Sequence, residues 1–302
     1  MTSFLTVVNL PSDGFGSLME YILGAIFFCD KYGIKYIHTD LKMLEHNNDM
    51  PNDVWLAIWN DRIQKIFLPD VTNVLEFNGN IQDINELRFV PESNTLFRLT
   101  NPSLLKCMFD QEVNQNKMLR DNIISNFREK TNSDIKDFKP NTINIAVHIR
   151  KFTKRDYDPS RTREEDARIE CIWREMYEKG NDSDIFFQNI IKNLLTILPN
   201  AFVHIYSEDE KELFNHFLDI SPNISVYTSN SVMHDLVHLS HADILVMSKG
   251  SYSRLANFYS RGVKIIREKS NPTLTDKTLY IPSTGYLTDD QKSFILSNSS
   301  LI

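Results

Sequence analysis

Three short segments of this 302-residue chain carry side chains suited to gripping a diphosphate. Ile145-Ala-Val-His-Ile-Arg150 ends an apolar run on His148 and Arg150. The arginine guanidinium offers a planar fork of donors that matches phosphate oxygens two at a time. Ser248-Lys-Gly-Ser-Tyr-Ser253 follows another apolar run. There Gly250 lets the backbone approach a ligand closely, and the N–H groups of Ser251, Tyr252 and Ser253, opening a helix, would face an anion with the helix dipole behind them. The hydroxyls of Ser251 and Ser253 add donors. Ser207-Glu-Asp209 closes a third run, and Asp235 opens the helix before the Ser248 segment.

Positioning these groups requires strands that end at one edge. Alternating apolar runs predict strands at Ile143–Ile149, Phe202–Tyr206, Ile224–Thr228, Asp243–Met247 and Val263–Arg267. Helices are expected between them, at about Asp184–Leu198, Glu210–Leu218, Val232–Ser240 and Tyr252–Ser260. Such alternation implies a parallel sheet covered on both faces, whose central strands read as continuous apolar runs. In open α/β sheets ligands bind outside the carboxyl ends of the strands, where the residues above fall. Further cations and carboxylates, Lys151, Lys154, Arg155, Asp156 and Asp158, follow Arg150 in a charged insertion from Lys151 to Asp184. A loop of that length is usually functional or mobile.

Before this half, Phe4–Asn9 reads as a strand, Ser17–Lys31 as a buried helix stopped by Gly33, and Lys35–Thr39 as a second strand. A helix is expected around Asp53–Lys65, strands at Asn73–Phe77 and Thr95–Leu99, and one helix from Pro102 to Arg128. The polar stretch Glu129–Thr142, with Pro140, suggests the domain boundary. We divide the chain at 1–138 and 139–302.

Each signal has a plainer reading. His148 also fits a hydrogen-bonded core histidine, Ser251 and Ser253 fit helix caps, and Asp235 fits a cap or a solvated side chain. Asp158, Glu164 and Glu165 lie in a charge run, and Gly14-Phe-Gly16 reads as a turn. What lifts the set is that its members fall at the same end of successive strands.

Composition narrows the classes. The chain is 41% hydrophobic and 24% charged, an ordinary globular usage. A net charge of −7 argues against a nucleic-acid binder, which needs a basic face. Cys29, Cys107 and Cys171 are too few and too scattered for a disulfide framework or a zinc cluster. No run approaches the roughly 20 apolar residues of a membrane span, so no stable membrane insertion is expected. These features suggest a reducing, cytoplasmic setting. The P-loop pattern is absent, which leaves nucleotide hydrolysis unsupported.

These segments resemble the inverting fucosyltransferase superfamily, which includes α1,2- and α1,6-fucosyltransferases, bacterial nodulation fucosyltransferases and protein O-fucosyltransferases. Ala146-Val-His-Ile-Arg150 is similar to the family's His-x-Arg strand end. Phe202–Asp209 looks like its strand ending in Ser/Thr-Asp-Asp, and His234–Ala256 resembles its last motif closely. Gly14–Ala25 is similar to the Gly-rich turn before its first buried helix. The likeness is loose over residues 7–39 and good over 143–262.

The resemblance implies a GT-B-like α/β fold, two Rossmann-like halves facing a cleft, with the donor in the C-terminal half. It implies an inverting, metal-independent transfer from GDP-fucose to a glycan acceptor, with no cofactor. Arg150 would hold the β-phosphate and support its departure. His148 and Asp235 would stand near guanine and ribose, and Ser251 with Ser253 at the diphosphate. Gly14, Gly16 and Lys249 complete the implied donor-binding set. The general base is assigned first to Asp158, with Asp156 and Asp13 as the other choices.

This sequence departs from the family in places. The Arg-Arg/Lys-x-Asp continuation is stretched to Arg150–Asp156, Ser/Thr-Asp-Asp is Ser207-Glu208-Asp209, and Lys249-Gly250 replaces hydroxyl residues. These changes leave open another nucleotide sugar, or a non-catalytic module that binds a nucleotide sugar or glycan.

Overall fold

A computed structural model of the chain describes residues 4–7, 14–37, 73–77, 95–150, 184–268 and 276–299. The expected helix at 53–65 lies outside them. So do Asp13, Lys151, Lys154, Arg155, Asp156, Asp158 and Cys171. The chain forms two compact units, Met1–Lys130 and Thr131–Ile302. Both are α/β with parallel sheets, as two Rossmann-like halves should be.

In the first unit, β1 (Phe4–Val7) leads to α1 (Phe15–Tyr32) and then to β2 (Lys35–Ile37), which pairs parallel with β1. With β3 (Asn73–Phe77) and β4 (Thr95–Leu99) they make a sheet of order β2-β1-β4-β3. Helix α1 is buried over most of its length because apolar residues run nearly all round it. It stops at Gly33, whose φ of 66° is left-handed, and the N–H of Ile34 closes the turn on the Cys29 carbonyl at 3.0 Å.

The single helix expected from Pro102 to Arg128 is two: α2 (Ser103–Gln115) and α3 (Lys117–Thr131). The break is Asn116, which leaves the helical region at φ −98°, ψ 68° and whose Oδ1 accepts from the N–H of Leu119 at 3.1 Å. Asparagine favours such a role because its side chain competes for backbone bonds. Helices α1 and α2 meet backbone to backbone at Gly24, where a Cβ would come within 2.0 Å of the Leu105 carbonyl oxygen.

The second unit is a six-stranded parallel sheet of order β10-β9-β8-β5-β6-β7. Its strands are β5 (Asn144–His148), β6 (Phe202–Ser207), β7 (Ile224–Thr228), β8 (Ile244–Val246), β9 (Val263–Arg267) and β10 (Thr278–Ile281). Helix α4 (Asp184–Ile197) buries Phe186, Phe187, Ile190, Ile191 and Leu194. Those residues share an apolar core with Ile145, Val147, Val203, Ile205, Ile244 and Val246. Strand periodicity then sends Ala146, His148, His204, Tyr206 and Leu245 to the opposite face.

The helix expected over Glu210–Leu218 is a 3-10 turn, Lys211–Phe214, running into the short α5 (Asn215–Leu218). Helices α6 (Val232–His241) and α7 (Ser251–Tyr259) match their expected places within a residue. Strand β10 and helix α8 (Asp289–Asn298), which the periodicity did not predict, complete the unit. Residues 131–138, which the polar stretch assigns to the N-terminal side, pack with the second unit. Thr131 Oγ1 bonds His241 Nε2 at 2.9 Å, and Phe138 lies against His204 and His238.

Candidate donor site at the switch point of the second sheet

From β5 the chain winds through β6 and β7 on one side, then crosses to β8, β9 and β10 on the other. The reversal falls between β5 and β8. The carboxyl ends of two adjacent parallel strands diverge there, leaving the crevice where open α/β sheets hold ligands. His148 ends β5 and Ser248 lies two residues beyond β8, so the two strongest sequence segments flank this point.

The structure brings His148, Ser248 and Ser253 together. His148 Nδ1 is 2.6 Å from Ser253 Oγ and 2.8 Å from Ser248 Oγ, and the two hydroxyls are 3.2 Å apart. All three residues are buried. Burial, with the nearby Arg150 charge second, pushes the His148 pKa down to about 3, so the ring stays neutral. Tyr252 packs on this imidazole at 5.1 Å between centroids, while its hydroxyl donates to the Val232 carbonyl at 2.7 Å. This network ties the start of α7 to the end of β5 and to the start of α6. Ser253 therefore spends its hydroxyl on His148, and Ser251, half-buried at the first position of α7, is the serine at the turn.

The turn itself has a conformation only glycine holds easily. Gly250 caps α7 at φ 130°, ψ 164°, and no side chain caps the helix. The cap reading of Ser251 and Ser253 is thereby set aside. Lys249 precedes it, half-buried.

Arg150 stands beyond β5, anchored by the Ile149 N–H donating to the Tyr206 carbonyl at 3.1 Å. Its Nη1 meets Glu208 Oε1 at 2.9 Å, with both side chains partly open to solvent. A pair so placed contributes only about 0–1 kcal/mol, and it helps to orient the guanidinium. Glu208 was legible as a departure from Ser/Thr-Asp-Asp; its pairing with Arg150 was not. Asp209 turns inward instead, accepting from Ser207 Oγ at 3.0 Å.

Asp235 is buried in the first turn of α6, and its Oδ1 accepts from Asn230 Nδ2 at 2.9 Å and lies 3.3 Å from His234 Nδ1. The helix cap is Ser231, whose hydroxyl accepts from the His234 N–H, so Asp235 is neither a cap nor solvated. Burial raises its pKa against the opposing pull of those two bonds. Gly14 caps α1 and Gly16 is buried in its first turn, both in the first unit. The carboxylates Asp156 and Asp158 lie outside the described residues. The sequence contains two Asp-x-Asp triplets, Asp156-Tyr-Asp158 and Asp182-Ser-Asp184, so metal independence rests on the resemblance alone.

No protein-family model matches the chain, and no curated protein matches it by sequence. Among solved structures it is similar to POFUT1 in complex with GDP, at 11% identity and a TM-score of 0.47 over 85% of this chain and 94% of that one. It is similar to NodZ alpha-1,6-fucosyltransferase soaked with GDP-fucose, at 10% and 0.42 over 90% and 97%. It is also similar to E. coli heptosyltransferase WaaC with ADP, at 10% and 0.46 over 98% and 100%. Likenesses this distant carry no functional weight, which falls instead on the side chains at the switch point. Among the described residues no helix is long and apolar enough to cross a membrane.

Proposed function

We propose that this chain is a glycosyltransferase that takes fucose from GDP-fucose and transfers it, with inversion, to a hydroxyl of a glycan acceptor. One observation carries the proposal. The partly exposed Arg150 and the glycine-bound, uncapped start of α7 stand at the ends of adjacent strands, on either side of the switch point.

That pairing suits a leaving diphosphate. As the sugar–phosphate bond breaks, negative charge grows on the β-phosphate. A fixed guanidinium and helix-start N–H groups would stabilise it without reorganising at the moment of reaction. In this scheme Arg150 supports the departing phosphate and Ser251 adds a donor. His148, held neutral and fixed by two serines, positions Tyr252 and α7. Asp235, fixed by Asn230, is assigned to the nucleoside. The acceptor hydroxyl must lose its proton to a base, for which Asp158 and then Asp156 are the candidates. We place the enzyme in a reducing compartment, where the exposed free thiol of Cys107 is at ease.

Thermal unfolding with GDP, UDP, dTDP and ADP tests the donor. GDP at about one hundred times its Kd should raise stability by about 2.7 kcal/mol, and Arg150→Ala should remove both that gain and donor turnover. Stabilisation by UDP, dTDP or ADP without GDP would sink the fucose assignment. Turnover that survives Arg150→Ala would displace the site.

A further inference from the structure

On the polar face of the second sheet, three acceptor atoms converge from separate parts of the chain. His234 and His238, four residues apart on α6, present their rings to the same side, with centroids 4.2 Å apart. Asp137, in the segment leading to β5, meets them. Its Oδ2 lies 3.2 Å from His234 Nε2 and 3.6 Å from His238 Nε2.

The hydrogen bonds fix what these atoms are. His238 Nδ1 donates to the His234 carbonyl at 2.7 Å, so its Nε2 carries a lone pair. His234 Nδ1 faces Asp235 Oδ1 at 3.3 Å, and with the proton of the neutral ring on that nitrogen its Nε2 is left as an acceptor toward Asp137. Asp137 Oδ2 is a buried carboxylate oxygen with no hydrogen-bond partner among the described residues. In that tautomer, with both rings neutral, three lone-pair atoms point at one another with no side-chain proton among them. Such an arrangement is repulsive unless a cation sits between them. Protonating His234 relieves one contact and leaves the His238–Asp137 contact as it was. The N–H groups of Lys136 and Asp137 reach His238 Nε2 at 3.3 and 3.4 Å, too long to satisfy it well.

We propose that Asp137, His234 and His238 form a binding site for a divalent transition-metal ion of the zinc class. All three ligand atoms lie within 4.8 Å of one another. Tetrahedral zinc, with bonds of about 2.0–2.1 Å, sets its ligand atoms about 3.3 Å apart, close to the two spacings at Asp137. The outer contacts are those metal-binding histidines use: one ring donates to a carbonyl, the other to a carboxylate that is itself held by Asn230. Two imidazoles and one carboxylate select zinc, cobalt or nickel over magnesium or calcium. Three protein ligands leave one position for water. The ion ties the segment before β5 to α6 and, through His234, holds Asp235. Arg150 and Glu208 take no part in it.

Titration calorimetry of the full chain with zinc chloride, and absorption spectra with cobalt(II), test the site. The expected result is one ion per chain, a tetrahedral cobalt spectrum and a higher Tm with zinc. Asp137→Asn and His234→Gln, at half-buried positions, should each weaken binding by at least about tenfold. Arg150→Ala should leave binding unchanged, which separates this proposal from the donor assignment. No saturable binding of zinc, cobalt or nickel would overturn the proposal. So would binding that survives both substitutions, as a site built on the Cys107 thiol would.

Discussion

Helices α1 and α7 both begin at a glycine and have no side-chain cap, yet their starts are physically different. Gly14 sits at φ −62°, ψ 153°, where any residue is comfortable. Phe15, Leu18 and Met19 follow it into an apolar core. Gly250 sits at φ 130°, ψ 164°, a region essentially restricted to glycine. Serines follow it, and a histidine and an arginine stand on the adjacent strand end. The same sequence signal, glycine before a helix, thus opens an apolar helix at an ordinary backbone angle in one unit and a candidate anion site at a glycine-only angle in the other. The deciding features are the backbone angle and the neighbouring strand, and neither is written in the local sequence.

The comparison breaks first at Arg150. Arg150→Ala should lower kcat by roughly 100- to 1000-fold, about 2.7–4 kcal/mol, with little change in unfolding, because its ion pair is partly exposed. Steady-state kinetics beside a denaturant curve would show both. Next comes the packed side of the comparison. Gly24→Ala drives a Cβ into the Leu105 carbonyl and should cost about 1–3 kcal/mol of stability, read as a drop in urea midpoint while GDP affinity per folded molecule holds.

Gly250→Ala against Gly14→Ala puts the two caps in direct competition. The first should cost about 1–3 kcal/mol through strain alone, since a Cβ there meets nothing within 4 Å. The second should stay within about 1 kcal/mol. A more damaging Gly14→Ala in matched urea titrations would reverse the contrast.

A pH-dependent effect comes from His148. Its pKa drops from 6.5 to about 3 on folding, so between those values the folded state binds fewer protons than the unfolded one. The stability is intact above pH 6.5 and is lost as pH falls toward 3, at no more than about 1.4 kcal/mol per pH unit. His148→Gln should flatten that slope in unfolding series across pH 4–7; an unchanged slope would falsify the buried neutral histidine. Smallest is Ser253→Ala, which leaves Ser248 on the ring and should cost about 0.5–1.5 kcal/mol. The Ser248/Ser253 double variant should cost more than the sum, as a thermal unfolding cycle would reveal.

Much of the scaffold was legible. Strands β3, β4, β7 and β9 end where their apolar runs end, and for the buried β4 and β9 the reason is that strands inside a parallel sheet have little choice of composition. Helix α8 was missed although Thr288-x-x-Gln291 is a capping-box signature, and the box forms. Helix α6 shows another limit. Its His234-x-x-x-His238 spacing was visible, but nothing marked Asp137, about a hundred residues earlier, as their partner.

The sequence by itself determined the strand–helix alternation through β9, the parallel sheets and the set of polar residues gathered at strand ends. Local composition and period suffice for those. The strand order decided the rest. By placing β8 beside β5, it brought Ser248 and Ser253 onto His148, and by placing β6 there it set Glu208 against Arg150. Which groups meet across a hundred residues depends on how strands pair, and pairing is a property of the whole sheet rather than of any segment within it.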